Sequence, residues 1–408
     1  MHGGEGRQLA YESLKHIFYR NPERWKAVYE ARYRSPFARH LPLSIRQVGR
    51  AQVHPAFYCY PEELVVLQNT IRTSFESCMR IIEQVPQAAV GQFLHHALIE
   101  EIQSTNEIEG VRSTRREILQ ALEAPPAEQR SYRLGSIVRK YLRILQGERV
   151  PLCDSHDIRA LYDDFIADEI RRDDPRNLPD GRIFRRESVD ILSAGQKVLH
   201  RGVYPEETVI GMMDQALAVL NDASLPILVR IAIFHYFFGY IHPFYDGNGR
   251  MSRFLTSYFL AREFHPTVAL RVSIYIKQHR KQYYKLFSTT DDDRNCGDLT
   301  PFILGMMSFI AGAIEETRTL LAERQEAYEV KWEHLAPQLA NKTTRAVGNV
   351  LLQATSFSDI GASIREICET LQKSENTIHA HIEKLPEGLV RIDKTARPYR
   401  YRIDVERI

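Results

Sequence analysis

The stretch IHPFYDGNGRMSRFL, residues 241–255, separates two segments that both have the composition of helices. Residues 226–240 are almost entirely apolar, and residues 252–263 have the spacing of a second helix. Gly247 and Gly249 permit tight backbone turns in the polar loop between them. We therefore expect several backbone N–H groups to converge at the start of the second helix, where they would form a binding site for an anion.

Four charged or titratable side chains in this loop have the chemistry of a phosphate site. Arg250 and Arg253 are three residues apart, so they share one helix face and suit phosphate oxygens. His242 is a base that titrates near pH 7, and Asp246 offers a hard carboxylate to Mg²⁺. The loop is thus predicted to combine a base, a metal ligand and an anion site.

Residues 242–253, HPFYDGNGRMSR, also match the H-P-F-x-[D/E]-G-N-G-R-x-x-R signature of Fic-domain proteins without a mismatch. The resemblance implies a mainly α-helical core with a small β-hairpin flap, and covers residues 61–322. It also implies protein adenylyltransferase activity: transfer of AMP from Mg²⁺-ATP to a Ser, Thr or Tyr hydroxyl. The alternative is an ordinary helix–loop–helix, which requires neither His242 nor two arginines at this spacing.

The resemblance also implies a role for each residue of the signature. His242 would be the general base, and Asp246 would hold the Mg²⁺ that bridges the α- and β-phosphates. Phe244 is predicted to anchor the loop in the core rather than to contact the ligand. The phosphates are expected to be bound by five residues, namely Gly247, Asn248, Gly249, Arg250 and Arg253.

A helix predicted over residues 92–109 contains a second motif. Its apolar stripe continues through Thr105 to Glu109, so we expect Glu109 on the core-facing side, where a carboxylate needs a partner. Residues 105–110, TNEIEG, match the [S/T]-x-x-x-E-[G/N] inhibitory motif of Fic proteins. The resemblance implies that Glu109 pairs with Arg253 and blocks the γ-phosphate position. The alternative is a helix-ending Glu-Gly with a structural ion pair.

Residues 188–199 have the alternation and turn residues of a β-hairpin. The resemblance makes it the flap, in which Val189, Asp190, Ile191 and Leu192 cover the nucleotide and pair with an extended segment of the target. A connecting hairpin is the alternative. A helix predicted over residues 273–288 contains Tyr283 and Tyr284. One of the two is expected to line the adenine side.

The last part of the chain has the pattern of a winged helix. Ser363 and Glu366 form a capping box for a helix over 364–371, Ser374 caps a helix over 375–385, and strands follow at 389–393 and 399–403. Residues 391–402 contain five basic residues and one acidic residue, so DNA contact and protein contact both stay open. The predicted domains are an N-terminal extension (1–60), a Fic catalytic domain (61–335) with its inhibitory helix (92–110), and a winged-helix domain (336–408).

Composition favours a globular protein. The 408 residues are 44% hydrophobic and 26% charged, and the net charge of +2 argues neither for nor against a polyanionic partner. We find neither a signal-peptide core nor an apolar stretch long enough to span a membrane. The five scattered cysteines lack metal or disulfide spacing. These features predict a reduced, cytoplasmic protein without a membrane partner.

Three other functions stay open on sequence alone. Doc-type kinases, relatives of Fic proteins, carry a lysine in place of a signature glycine and transfer the γ-phosphate instead. Some Fic proteins use the inhibitory glutamate to position a water, so that AMP removal is the working reaction. A regulatory binding module would use the nucleotide site as a sensor, although a sensor does not need the base His242. The expected partner is a protein substrate, which can be the chain itself, and a homodimer is open.

Overall fold

The computed structural model describes residues 11–408 except 193, 194, 197, 359 and 395–397. The chain is mainly helical, which confirms the predicted fold class. The helices are α1 Leu14–Arg20, α2 Pro22–Tyr33, α3 Glu62–Gln84, α4 Gln87–Ile108, α5 Arg115–Glu123, α6 Gly135–Leu145, α7 Ser155–Phe165, α8 Ala167–Asp173, α9 Glu206–Asn221, α10 Ile227–Ile241, α11 Asn248–Glu263, α12 Pro266–Ala269, α13 Val272–Gln278, α14 Arg280–Thr290, α15 Thr300–Leu335, α16 Lys342–Phe357, α17 Ile364–Leu371 and α18 Glu375–Ile382.

The described strands form three separate antiparallel hairpins, β1–β2, β3–β4 and β5–β6. Their bounds are β1 Ala38–Ile45, β2 His54–Cys59, β3 Asp190–Leu192, β4 Val198–Arg201, β5 Val390–Asp393 and β6 Arg400–Ile403. The hairpin predicted over 188–199 is therefore present, and its turn residues 193, 194 and 197 lie outside the described residues. The β1–β2 hairpin was not predicted, because Pro42 and Pro55 interrupt the strand pattern.

The chain forms two compact units. The signature unit comprises residues 11–72, 147–259 and 275–312, and so contains residues 242–253 and the β3–β4 hairpin. The tail unit comprises residues 73–146, 260–274 and 313–408. The domain boundaries predicted after residues 60 and 335 stay predictions.

Helix α10 is the core of the signature unit. Its sequence, ILVRIAIFHYFFGYI, is apolar on every face, and a helix of this kind is buried all round. It packs against α9, and the ring of Tyr236 contacts Phe287 of α14 and Phe302 of α15. Because α10 is held on several sides, its C-terminal end provides a fixed base for the loop that follows.

Two predicted single helices are each divided in two. The residues 154–171, whose apolar spacing predicts one helix, break at Ile166 between α7 and α8, and the helix predicted over 273–288 breaks at His279 between α13 and α14. His279 packs its ring on Tyr275, at 4.1 Å between centroids. Apolar periodicity continues across both breaks, which explains why the pattern did not predict them.

The tail unit is built on α4, against which α16 packs. Ser363 and Glu366 form the predicted capping box at the start of α17, and Ser374 caps α18 as predicted. Helices α17 and α18 and the β5–β6 hairpin follow in the predicted order, and α16 precedes them without having been predicted. The assignment of these elements as a winged-helix domain stays a prediction.

Candidate active site

The signature loop, residues 242–253, begins where α10 ends. His242 caps that helix in the left-handed conformation, with φ of 52°, which is uncommon for a residue other than glycine. Its ring Nδ1 lies 3.2 Å from the carbonyl oxygen of Gly239. A carbonyl only accepts, so Nδ1 carries the hydrogen, and in the neutral ring Nε2 then has the lone pair. The local geometry thus makes Nε2 the basic atom.

Two residues hold the middle of the loop in place. Phe244 is fully buried and stacks on Tyr162, with 3.8 Å between ring centroids, as predicted for a core anchor. The side chain of Asn248 accepts a hydrogen bond from the backbone N–H of Phe244 and donates one to its carbonyl. Sequence reasoning assigned the Asn248 side chain to the phosphates, whereas the structure shows it bracing the loop.

The two glycines of the loop have different backbone conformations. Gly247 has φ of +87°, and a Cβ there would lie 3.3 Å from side-chain atoms of Ile166 and Ile170. Gly249 lies inside α11, which begins at Asn248 rather than at residue 252. The expectation that Gly249 also forms the turn was therefore wrong. Because the helix starts four residues earlier, its first-turn amides come from Asn248, Gly249 and Arg250.

Those amides lie where the anion site is predicted. The first N–H groups of a helix have no acceptor within it, and they lie at the positive end of its dipole. Asp246, two residues before the helix, has a side chain that is 46% exposed. Its Oδ1 accepts the N–H of Gly247 at 2.5 Å and lies 3.5 Å from Arg250 Nη2.

The donor set at Asp246 suits one kind of metal binding. Within the described ranges, no three His, Cys, Asp or Glu side chains come together as a metal site. Mg²⁺ often binds through one or two carboxylates together with substrate phosphates and waters. One half-exposed carboxylate beside an anion site fits Mg²⁺ that arrives with a nucleotide, rather than a resident ion.

Arg250 is engaged inside the protein. Its guanidinium is buried, and Nη1 donates to Oε1 of Glu169 on α8 at 2.8 Å. This ion pair connects α8 to the first turn of α11, so Arg250 braces the loop in addition to its predicted phosphate role. Sequence reasoning missed Glu169. Its spacing of four from Phe165, a core residue, was a signal that a carboxylate faced the interior and needed a partner.

Arg253 is also buried, with 1% of its surface exposed. Burial, followed by the charge of Arg253, lowers the pKa of His235 to about 3, so that histidine is neutral. Neutral His235 joins three helices, because its Nδ1 lies 2.8 Å from Thr256 Oγ1 and its Nε2 lies 2.7 Å from the hydroxyl of Tyr283. The charge of Arg253 thus lies beside a buried cluster of hydrogen-bonded polar side chains.

The tyrosine pair divides as expected into one core residue and one rim residue. Tyr283 is buried and bonded to His235, whereas Tyr284 is 44% exposed beside Arg280. Tyr284 therefore has the exposure that stacking on a base requires, while Tyr283 is part of the scaffold. Contact of either residue with adenine stays a prediction.

The β3–β4 hairpin presents its residues unequally. Val189, Asp190 and Ile191 are partly buried, and Leu192 is 45% exposed. Arg201 of β4 pairs with Asp190 of β3 through two hydrogen bonds. The hairpin is two-stranded, so each of its strands has an edge without a β-partner within the described sheet.

Glu109 does not lie where sequence reasoning expected it. Helix α4 ends at Ile108, and Glu109 is its exposed C-cap residue. Helical periodicity no longer fixes the direction of a side chain beyond the last helical residue, so the prediction of a core-facing Glu109 was wrong. The carboxylate buried in α4 is Glu101, which accepts hydrogen bonds from the backbone and hydroxyl of Ser273.

Two further residues, which the sequence did not reveal, hold the chain segment 182–185 in place beside the loop. The carboxylate of Glu206 accepts the backbone N–H groups of Arg182, Ile183 and Phe184. Burial alone would raise the pKa of Glu206, but these hydrogen bonds hold it below its usual value. Arg185 follows directly and is almost completely buried. Neither residue belongs to a motif, so neither gave a signal.

The basic run 391–402 is partly neutralised by nearby acids. Arg391 lies 2.8 Å from Asp404 and 3.4 Å from Glu406, and Arg400 is buried against Glu366 and Glu123. A nucleic-acid surface needs basic side chains that face outward together. Two of the five basic residues are thus paired with acids, and the kind of partner that this run contacts stays a prediction.

The loop and its helical scaffold can be compared with known proteins. Residues 152–260 match the model of the Fic/DOC family. The chain is 39% identical to protein adenylyltransferase Fic of Aedes aegypti over 89 residues, 22% of this chain and 15% of that protein. It is 39% identical to the Drosophila virilis protein of that name over 100 residues, 24% of this chain and 18% of that protein. The chain thus spans less than a fifth of these curated relatives.

The fold has a counterpart among solved structures. The crystal structure of a Fic family protein from Desulfovibrio desulfuricans G20 aligns with a TM-score of 0.50 and 21% identity, covering 85% of this chain and 97% of that one. The likeness is one of fold. Separately, among the residues described, no helix has the length and apolar character that crossing a membrane requires.

Proposed function

We propose that this chain is a protein adenylyltransferase that transfers AMP from Mg²⁺-ATP to a Ser, Thr or Tyr hydroxyl. The observation that carries the proposal is the arrangement of the loop, in which a basic Nε2 on His242 precedes the first amides of α11 by six residues. The Fic/DOC match and the names of the insect relatives support the same reaction. The substrate is a protein, and the chain itself is one candidate.

In the proposed reaction, Nε2 of His242 takes the proton of the target hydroxyl as its oxygen attacks the α-phosphorus. The bond from that phosphorus to the bridging oxygen of the β-phosphate breaks, and pyrophosphate leaves. The amides of Asn248, Gly249 and Arg250 face the phosphates, and Arg253 adds its charge. Donors that are already in place stabilise the charge that develops in the transition state without reorganisation.

Asp246 would hold Mg²⁺ that enters with the nucleotide. The ion supplies charge neutralisation between neighbouring phosphates. The protein contributes an oriented carboxylate, because Oδ1 accepts the N–H of Gly247 while the side chain of Asp246 stays about half exposed. The chemistry of the group thus fits the residues present.

The β3–β4 hairpin would align the target. Its residues 189–192 lie on an edge strand, and an extended peptide that adds to such an edge bonds through its main chain. Main-chain pairing selects little sequence, so the hairpin would position many targets in one register. Tyr284 would lie beside the base of the nucleotide, with Tyr283 behind it.

We also propose that Glu109 restrains the activity by pairing with Arg253. The proposal rests on the 105–110 motif upstream of a complete signature. Pairing would take the guanidinium of Arg253 from the γ-phosphate and place a negative charge at that position. ATP would then bind with its α-phosphate misaligned for attack.

The tail is proposed to contact a protein partner, and contact with DNA and a homodimer stay open. The salt-bridged state of Arg391 and the burial of Arg400 support the protein contact. A cytoplasmic location stays a prediction from the sequence.

Labelled ATP tests the proposed reaction. Purified wild type and Glu109→Gly would be incubated with Mg²⁺ and ATP labelled at the α- or the γ-phosphate. Label in protein from α-ATP only is the expected result. Label from γ-ATP would indicate a kinase, release of AMP from pre-modified protein would indicate AMP removal, and no transfer would favour a sensor.

A further inference from the structure

Arg185 makes an unusual set of contacts beside the signature loop. Its side chain is 1% exposed and donates to four backbone carbonyls. Nε bonds to His242 at 2.8 Å, Nη1 to Glu187 at 2.7 Å, and Nη2 to Val203 at 2.7 Å and to Ile241 at 3.3 Å. One guanidinium therefore connects the end of α10 with the chain on both sides of the β3–β4 hairpin.

Within the described part of the chain, the hydrogen bonds of the Arg185 guanidinium all go to backbone carbonyls rather than to a carboxylate. Burial lowers the pKa of Arg185. Removing a charge from water is costly, and carbonyl oxygens offset only part of that cost. An apolar residue here would avoid that cost but would take the guanidinium donor away from the carbonyls of His242, Glu187 and Val203.

Two of the four carbonyls belong to the proposed base, His242, and to the residue before it, Ile241. The last carbonyls of a helix have no partner within it, and Arg185 binds two of them, those of Ile241 and His242. His242 is in the left-handed conformation, which its neighbours must hold in place. Fixing its carbonyl fixes the peptide plane next to the Cα that carries the imidazole.

The same contact fixes the base of the hairpin. The N–H of Val203 donates to the carbonyl of Ile241 at 3.1 Å, and that of Gly202 donates to Val189 at 2.9 Å. A Cβ on Gly202 would lie 2.5 Å from Arg185 Nη2 and 3.1 Å from the Cβ of His242. Hairpin, guanidinium and loop are thus packed without space between them.

We propose that Arg185 is a positioning residue that sets the distance between His242 and the β3–β4 hairpin. The inference rests on the proposed function, because it takes His242 as the base and the hairpin as the guide for the target. A hydroxyl carried by a peptide on the hairpin must reach Nε2 within hydrogen-bond distance. A displacement of about 1 Å in such a geometry costs ~10²-fold in rate.

Arg185→Lys is the principal test. Lysine keeps the charge but has one nitrogen, which cannot span carbonyls on three chain segments. We expect kcat to fall by roughly 10- to 100-fold while the KM for ATP changes little, since α11 holds the phosphates. Arg159→Lys is the matched control, because Arg159 also donates to a backbone carbonyl, that of Ile183 at 2.7 Å, without touching His242 or the hairpin.

Hydrogen exchange provides a readout that does not depend on activity. In Arg185→Lys, the amides of Gly202 and Val203 should exchange faster, because the anchor of the hairpin base is lost. Amides of α16 in the tail unit and the melting temperature should stay close to wild type. Arg159→Lys should leave the exchange of Gly202 and Val203 unchanged.

Gly202→Ala is the second variant, and it tests the same contact from the other side. Its methyl group would displace the guanidinium, so it should lower kcat in the same way, and the double variant should show no additional loss. If Arg185→Lys does not fold, the kcat and the hydrogen exchange of Gly202→Ala test the proposal in its place. Wild-type kcat and wild-type exchange in a folded variant would overturn the proposal. If neither the wild type nor Glu109→Gly transfers AMP, the proposed function fails, while the exchange result still decides whether Arg185 anchors the hairpin.

Discussion

The signature loop (242–253) and the segment 105–110 both match a motif, but the chain holds them by different means. In the loop, Phe244 stacks on Tyr162, and the side chain of Asn248 forms a hydrogen bond with the backbone of Phe244. Arg250 forms an ion pair with Glu169. The segment 105–110 is the end of a helix, and its decisive residue, Glu109, is exposed beyond the last turn.

The difference separates two kinds of functional residue. A residue such as His242 has its position set by local geometry and packing, so its role should be sensitive to small changes around it. An exposed residue at a helix end can be removed with little effect on the fold, and its role should appear only in regulation. The predictions below test that contrast in order of decreasing effect.

Replacing the base should have the largest effect. We expect His242→Ala to lower the transfer rate by ~10²–10⁴-fold, the usual cost of losing a general base. ATP binding should be nearly unchanged, since other residues hold the phosphates, and titration calorimetry with Mg²⁺-ATP checks this point. Labelling at the wild-type rate would remove His242 from this role.

Removing the loop anchor should affect stability more than removing the exposed acid. Phe244→Ala leaves a cavity beneath the loop and should lower the free energy of unfolding by ~3–5 kcal/mol. Glu109→Gly should change it by no more than ~0.5 kcal/mol, as is usual for exposed positions. Urea denaturation measures both. Similar losses in the two variants would mean that the two regions do not differ as described.

Releasing the proposed inhibition should raise activity by a smaller factor. Glu109→Gly should increase auto-modification by at least ~10-fold, which corresponds to only ~1.4 kcal/mol of barrier. Adding Arg253→Ala should cancel most of the gain, because the released guanidinium is the group that acts. Glu107→Gly is the control, because it also introduces a glycine near the end of α4 but leaves Glu109 in place. An increase in the control as large as in Glu109→Gly would assign the effect to the helix rather than to the charge.

The smallest expected effect is a pH dependence at the hairpin. Buried His200 on β4 has Nε2 2.6 Å from the carbonyl of Tyr240 and Nδ1 3.4 Å from the carboxylate of Asp291. Burial alone would lower the pKa of His200, and the charge of Arg185 acts in the same direction. The hydrogen bond and charge of Asp291 outweigh them and raise it.

Because the pKa of His200 is raised in the folded protein, the direction in which stability changes with pH is defined. The stabilisation is complete below about pH 6.5, the ordinary value for histidine, and is lost as the pH rises through the raised value. The melting temperature of the wild type should therefore fall between pH 6 and pH 9 by more than that of His200→Gln, which cannot titrate. Equal slopes in the two proteins would contradict this assignment.

Sequence patterns predicted what depends on short-range rules. The apolar run of α10, the capping box of α17, the hairpin at β3–β4 and the tight turn at Gly247 follow from local composition and spacing. They did not predict Arg185, Glu169 or Glu206, because the partners of these residues are backbone groups or side chains that are distant in sequence. Such contacts arise only when the chain has folded.

The direction of Glu109 shows a second limit. Helical spacing placed it on the buried stripe, and the rule would hold if α4 continued for another turn. The helix ends one residue earlier, at Ile108, before Gly110 with φ of +75°. A pattern predicts a face only within the element that carries it, and helix ends are where such predictions are least secure.

Intact-mass and tandem mass spectrometry of the purified protein after incubation with Mg²⁺-ATP tests the central claim most directly. The account predicts an AMP adduct on a Ser, Thr or Tyr hydroxyl of Glu109→Gly, and no adduct on the double variant that also carries His242→Ala. A phosphate adduct in place of AMP would contradict the proposed reaction. An AMP adduct of equal yield on both variants would contradict the role of His242.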